Sequence, residues 1–186
     1  MKRTTSLITL RQVTLASPGD VEFIRTTRNS FLGKDVYAEE HFIEAAEHQK
    51  WFAGLDSVRD FFFVILPQDA PAPVGFVGCY QKRAPANSAE ISIYLTETDL
   101  SFLVPFHAMT LLLEFIFREL QLQRAYAAFF PRNERAIRFN AGFGFRRFDE
   151  KDGMIYTELT AAEYETSRDK LRKFLPESES PAAVDR

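Results

Sequence analysis

Cys79 is the only cysteine, so no internal disulfide can form and the fold must rest on its core. That scarcity fits a reducing compartment, and the chain reads as cytoplasmic. Glycine is sparse too: there are eight, and none lies between Gly78 and Gly142. A glycine-rich phosphate loop is thereby excluded from that stretch, because such loops need the close backbone approach that glycine permits. No apolar run reaches the length of a membrane span, and the opening "MKRTTSLITLRQVT" is too interrupted by Thr, Arg and Gln to be a signal peptide. Positive charge is not in excess either. With 23 Lys and Arg against 26 Asp and Glu, the net charge is −3, which disfavours nucleic acid as the main partner. The three histidines, His41, His48 and His107, stand in no metal-ligand or triad spacing, and no metal is expected.

Apolar bulk is what the chain has. Its 186 residues are 46% hydrophobic and 14% aromatic, with 19 phenylalanines, which suffices for one well-packed domain and is short for two. We place that domain at residues 1–175 and expect a mobile tail at 176–186, where "PESESPAAVDR" is polar and proline-bearing. A strand is predicted at residues 7–13. "SPGD" then offers Ser17 as N-cap and Pro18 as first helical residue of a helix running toward Arg28. A second helix is read over residues 38–54. Three strand-like runs follow, "DFFFVILP", "PVGFVGCYQ" and "AEISIYL", separated by proline-rich or polar turns as in an antiparallel meander. The helix "PFHAMTLLLEFIFREL" leads to a fifth strand, "RAYAAFF", and to the helix "NERAIRFNAGF". A hairpin around "KDG" comes next, then a last helix for which Thr160 and Glu163 have capping-box spacing. The order β-α-α-β-β-β-α-β-α-β-β-α describes a mixed α/β domain of three layers without internal repeats.

The junction "ISIYLTETDLSFLVPFHAM" has the position of a nucleotide loop without its glycines. A helix start offers unpaired amides and a dipole that favours an anion, but Pro105 has no N–H and fits best at the first helical position. An anion has another place to go. Arg118, Arg124, Arg132, Arg135, Arg138, Arg146 and Arg147 are set against only Glu119 and Glu134 over that stretch, and Arg135 and Arg138 share a helix face. The plainer reading of these arginines is a solvated surface balanced by nearby acids. His48 and Trp51, three apart on one helix, either line an acceptor pocket or, more plainly, let Trp51 anchor the helix to the core. Cys79, in an apolar strand, reads as a buried small hydrophobe. Phe102, Phe106, Phe129, Phe130, Phe139 and Phe143 read as core or as the wall of an acyl-chain channel.

The element order, together with "NERAIRFNAGFGF", resembles the GNAT superfamily of N-acetyltransferases over about residues 6–160. The resemblance is carried by Asn133, Ala136, Phe139 and the Gly144, Phe145 pair entering the next strand. "RNSFLG" and "EHQKWFAGL" look like the branch that acetylates ribosomal-protein N-termini and amino sugars on nucleotides. The family implies a mostly antiparallel sheet of about six or seven strands, splayed between the fourth (residues 89–95) and the fifth (124–130) and flanked by helices. It implies acetyl-CoA as acyl donor, with Asn133 on a pantetheine amide, and Ala136, Phe139 and Asn140 beside it. Backbone N–H groups of Ile93, Tyr94 and Leu95 would polarise the thioester carbonyl, and Glu90 would take the amine's proton. Tyr94, Leu95, Phe129 and Phe130 are expected as walls of the splay. The loop "LSFLVPF", residues 100–106, matches the pyrophosphate grip, which assigns Ser101, Phe102, Leu103 and Val104 to the donor, although its basic residue and both glycines are missing; Arg135 and Arg138 are the substitute phosphate holders. Asn140 stands where many members carry a tyrosine that protonates the leaving thiolate. The implied acceptor is a small-molecule amine, an amino sugar or a protein N-terminus. Two alternatives stay open: an acyl carrier protein as donor, and a non-catalytic binding module on the same fold.

Overall fold

The computed structural model describes residues 1–34, 41–81, 85–96 and 101–171. A strand not foreseen, β1 (Lys2–Thr4), comes first and pairs back on β2 (Ile8–Gln12). Helices α1 (Pro18–Asn29) and α2 (Ala45–Ala53) lead to the expected meander of β3 (Asp60–Pro67), β4 (Gly75–Tyr80) and β5 (Ser88–Leu95). Next come α3 (Leu103–Glu114), which runs on into a wider π turn at Phe115–Glu119, and β6 (Arg124–Phe129). The chain continues with α4 (Glu134–Gly142), the hairpin of β7 (Arg146–Lys151) and β8 (Met154–Thr160), and α5 (Ala161–Leu171). The sheet therefore has eight strands rather than six or seven, in the order β1-β2-β3-β4-β5-β6-β8-β7, and the expected fourth and fifth strands are β5 and β6. "KRT" has no apolar alternation to announce a strand. It is held by tertiary contacts: the Arg3 guanidinium lies 4.1 Å from the Phe115 ring centroid, and its Nε donates to Glu119 Oε1 at 2.9 Å.

Strand alternation sorts the apolar residues into two cores. Phe63, Ile65, Val77, Cys79, Ile91, Ala125 and Leu159 face α3 and α5, whereas Phe62, Val64 and Phe76 join Val21, Ile24 and Phe52 under α1 and α2. Cys79 is fully buried, and burial pushes its thiol up to about 12. Gly75 is a required glycine: a Cβ there would sit 2.2 Å from the Tyr94 carbonyl oxygen on the neighbouring strand.

The local signals map well onto the ends of elements. Ser17 and Pro18 start α1, and the β7–β8 turn places Asp152 and Gly153 at positive φ, 52° and 74°. The capping box forms as spaced: Thr160 N–H donates to Glu163 Oε2 at 2.9 Å and Glu163 N–H to Thr160 Oγ1 at 3.2 Å. Two helix starts differ from expectation. α2 begins at Ala45, because Asn29 pairs with both backbone groups of Ile43 (2.9 and 3.0 Å) and holds it out of the helix; residues 38–40 of the expected helix lie outside the described residues. α3 begins at Leu103, so Pro105 is its third residue rather than its first. The tail expected at 176–186 lies outside the described residues. Among the described residues, no helix is long and apolar enough to cross a membrane.

Candidate active site

β5 and β6 form the one parallel pair of the sheet, matched only at Ser88–Arg124, Ala89–Ala125 and Glu90–Tyr126. Beyond Glu90 they part. β5 stays on β4 as far as Leu95 opposite Gly75, while β6 stays on β8 as far as Phe129 opposite Ile155. Pro131, with no N–H, cannot prolong β6, and the chain turns into α4, whose first residues close one side of the gap. The resulting cleft of about 200 Å³ is lined by strand residues from Glu90 to Tyr94, by Phe129 and Phe130, and by Asn133, Ala136 and Asn140 of the α4 turn and helix. Tyr94, Phe129 and Phe130 are walls as expected. Leu95 is not: its side chain packs against the α3 core, while Ser92, Met109, Ala127, Ala128 and Met154 line the cleft without having been anticipated. Their signal was faint, since small residues in strands and methionines in a strand or helix read as ordinary core.

The backbone of β5 gives the cleft its donors. Thr96 N–H bonds to Val74 O at 2.9 Å, so its amide points at β4; by alternation those of Ile93 and Leu95 point the other way, into the gap that β6 has left. Glu90, half-buried, stands at the head of the cleft, where the two strands separate. Tyr94 is stacked on Phe76, with ring centroids 4.7 Å apart, so its place on β5 is fixed.

Asn133 caps α4, its Oδ1 accepting from Ala136 N–H at 3.2 Å. Asn140, further along the helix, is 2% exposed and donates through Nδ2 to Ala136 O at 3.0 Å. That bond fixes the amide's orientation, because the reverse would set two acceptors together. Asn140 Oδ1 is thereby left buried in the cleft wall without a hydrogen-bond partner among the described residues, a costly arrangement for an acceptor. A pantetheine arm, with amide N–H and C=O groups along an otherwise apolar chain, would fit these features: Asn140 Oδ1 could take a donor, the Ile93 and Leu95 amides could meet carbonyls, and Phe129 and Phe130 could cover methylenes.

The mouth of the cleft is different. At the start of α3, Leu103 N–H points at Ser101 Oγ (3.4 Å), Val104 N–H bonds to Ser101 O (3.0 Å), Pro105 has none, and Phe106 N–H goes to Phe102 O (3.4 Å). Ser101, Phe102, Leu103 and Val104 thus bring no unpaired amide among residues 103–106, and Phe102 stands 65% exposed. The arginine cluster is mostly neutralised. Arg138 pairs with Glu134 (2.7 Å), Arg118 with Glu165 (2.8 Å), and Arg146 with Glu158 and Glu163 (2.7 Å each), leaving exposed Arg135 without an ion pair among the described residues. The balanced-surface reading describes these side chains. Phe106, Phe139 and Phe143 pack on one another, with centroids 5.2 Å apart for Phe106–Phe143 and Phe139–Phe143, as core rather than channel. His48 and Trp51, 5.1 Å apart, lie against the α1–α2 core with Phe52 and Phe62 and are not brought to the cleft lining. Among the described residues, no cluster of His, Cys, Asp and Glu is arranged to hold a metal ion.

A parallel pair that opens at mid-sheet, with a capped helix over the opening, defines an acyltransferase class. Residues 8–146 match the family model described as acetyltransferase (GNAT) domain, and the chain belongs to that family. No curated protein matches it by sequence. Among solved structures it is similar to the apo form of FdhC, a nucleotide-linked sugar GNAT (19% identity, 95% of this chain and 99% of that one, TM-score 0.77). It is also similar to the Campylobacter jejuni N-acetyltransferase PseH in complex with acetyl coenzyme A (21%, 83% and 99%, TM-score 0.61). A third is the spermidine/spermine N-acetyltransferase SpeG from Vibrio cholerae in mutant forms (17%, 88% and 99%, TM-score 0.68). At these identities the likeness is one of fold.

Proposed function

We propose that the protein is an acetyl-CoA-dependent N-acetyltransferase that acts on a primary amine of a small molecule. The observation that carries this reading is the parting of β5 from β6 immediately after Glu90, which leaves the Ile93 and Leu95 amides facing a cleft whose far wall holds the unpartnered Asn140 Oδ1. When bound there, acetyl-CoA supplies the activated acetyl group. The chain's own part is to orient it: Asn140 Oδ1 accepts from the pantetheine arm, and the β5 amides stabilise negative charge on the thioester oxygen. Glu90 accepts the proton that the attacking amine must lose. Asn140 has no proton to give a leaving thiolate, so that proton returns from the amine by way of Glu90 or solvent.

Acetyl transfer from acetyl-CoA to a panel comprising an amino sugar, spermidine and a peptide with a free N-terminus, read by the mass of the product, tests the reading. Product on the amino sugar or spermidine supports it, and product on the peptide alone keeps the N-acetyltransferase and replaces the small-molecule acceptor. Absence of both product and measurable acetyl-CoA binding overturns it in favour of a non-catalytic module. One observation favours a second donor: exposed Phe102 and Leu103 beside the already bonded amides of Leu103, Val104 and Phe106 suit a protein-borne pantetheine better than a free pyrophosphate, so an acetylated acyl carrier protein belongs in the same panel.

A further inference from the structure

The face of the sheet that carries Glu90 also carries two hydroxyls, those of Tyr80 and Ser92. Antiparallel register sets Tyr80 of β4 opposite Glu90 of β5, Gly78 opposite Ser92, and Phe76 opposite Tyr94, and residues paired in this way share a face. Phe76 belongs to the core under α1 and α2, so the hydroxyls lie on that side. Gly78 is what lets them meet. A Cβ there would stand 2.8 Å from Ser92 Oγ and 3.1 Å from Tyr80 Cε2, the ring carbon beside the one that bears the hydroxyl. Both groups lean over the same bare stretch of backbone, and a side chain at that position would part them. Phe62 keeps the Tyr80 ring in place, edge to face with centroids 5.0 Å apart.

Ser92 Oγ is buried and completes no hydrogen bond of ordinary length and angle among the described residues, although the Tyr80 hydroxyl stands close enough to attract it. Such a hydroxyl costs stability unless a further partner arrives. Ser92 also lines the cleft, one residue before Ile93, so it touches the donor space on one side and Tyr80 on the other. Burial, with the Tyr94 hydroxyl nearby, pushes the Tyr80 hydroxyl up from its ordinary value; Arg28, Ser92 and Glu90 are the other groups that act on it, and Tyr80 keeps its proton at neutral pH. Along β5, Glu90 and Ser92 are two residues apart, about 7 Å, which is more than one hydrogen bond spans. Tyr80 bridges that distance, its backbone opposite Glu90 and its hydroxyl end beside Ser92.

We propose that Ser92 is the acid that protonates the leaving sulfur and that Tyr80 is the positioning residue behind it. As the amine nitrogen bonds to the acetyl carbon and the C–S bond breaks, Ser92 gives its hydroxyl proton to sulfur and takes the Tyr80 proton, while Tyr80 takes from Glu90 the proton that the amine released. Every side chain ends as it began, and one proton has moved from nitrogen to sulfur. The proposal rests on the acetyltransferase reading, but its test needs no turnover and no acceptor. Coenzyme A is the probe: its thiol is titrated on the protein through the ultraviolet absorbance of the thiolate, against protein alone, in the unsubstituted chain, Ser92→Ala and Tyr80→Phe. A hydroxyl that donates to sulfur favours the thiolate. The bound thiol should therefore ionise about tenfold less readily in Ser92→Ala than in the unsubstituted protein, a rise of about one pH unit, and about threefold less readily in Tyr80→Phe. Each substitution removes one hydroxyl from a half-buried side chain, and an unchanged thermal melt separates a lost bond from a lost fold. Identical titrations in all three proteins overturn the hydroxyl pair and leave the acetyltransferase reading standing. A shift in Ser92→Ala that Tyr80→Phe does not share overturns the part given to Tyr80. Failure of all three to bind coenzyme A overturns the acetyltransferase reading and the proposal with it.

Discussion

Replacing Asn140 by leucine separates stability from function in a way that few buried polar substitutions would. The side chain is 2% exposed and, among the described residues, makes one hydrogen bond, to Ala136 O at 3.0 Å, while its Oδ1 has no partner there. Losing the bond costs about 1 kcal/mol, and Ala136 O remains in the helical ladder of α4, so no new unsatisfied group appears. Removing the orphan acceptor returns about 1–2 kcal/mol of desolvation cost. The two terms nearly cancel, and Asn140→Leu is expected to change stability by less than about 1 kcal/mol, on the stabilising side if the cleft tolerates two methyl groups in place of the carboxamide oxygen and nitrogen. Donor binding has no such compensation. A hydrogen bond to the pantetheine arm worth about 1.4 kcal/mol would be lost, a tenfold rise in the acetyl-CoA Kd. Thermal melts and calorimetric titrations on the same preparation measure both. A variant destabilised by more than about 2 kcal/mol that binds acetyl-CoA as before would refute the reasoning, because Oδ1 would then be satisfied inside the free protein.

Glu90→Gln should fold normally, since the side chain is only half-buried, and should lower kcat by about 100-fold or more while flattening its rise with pH, the scale of a lost general base; unchanged kcat would pass the role to water. Asn133→Ala removes the cap bond to Ala136 N–H and should cost about 1 kcal/mol in a denaturant melt, with Asn133→Ser restoring most of it. Glu163→Gln tests the capping box against pH. Bonds from Thr160 and the Arg146 guanidinium hold the Glu163 carboxyl down to about 2, so its contribution is present above the ordinary carboxylate range and fades as pH falls from about 4.5 to 2. The side chain is 37% exposed, so screening reduces that contribution to about 1 kcal/mol, or a Tm difference of about 2–4 °C at pH 7 that should close by about pH 2. A difference that is independent of pH would mean that the substitution removes packing rather than charge.

How much of this was legible in the residues follows their physics. The meander, the Asp152, Gly153 turn and the Thr160, Glu163 box are local devices, set by alternation, positive φ and reach over three residues, and each appeared where its pattern placed it. β1 and the start of α2 are fixed by distant partners, Arg3 on Phe115 and Asn29 on Ile43, which no window of sequence contains. The cleft was foreseen from Asn133 and the strand that carries Glu90. Its walls were not fully foreseen, because Leu95 and Ser92 alternate across β5 and only the sheet's pairing tells which side opens. The stretch without glycine between 78 and 142 includes the start of α3, where the amides of Leu103 and Val104 are already bonded to Ser101.

Amide hydrogen exchange at Ile93 and Leu95, measured with and without acetyl-CoA, reaches the central claim most directly. Their N–H groups face the cleft rather than β4, so in the free protein they should exchange much faster than Tyr94 and Ser92, and saturating acetyl-CoA should slow them selectively. Ile93 and Leu95 amides already protected in the free protein, or unchanged while others become protected by acetyl-CoA, would contradict the account by placing the donor elsewhere.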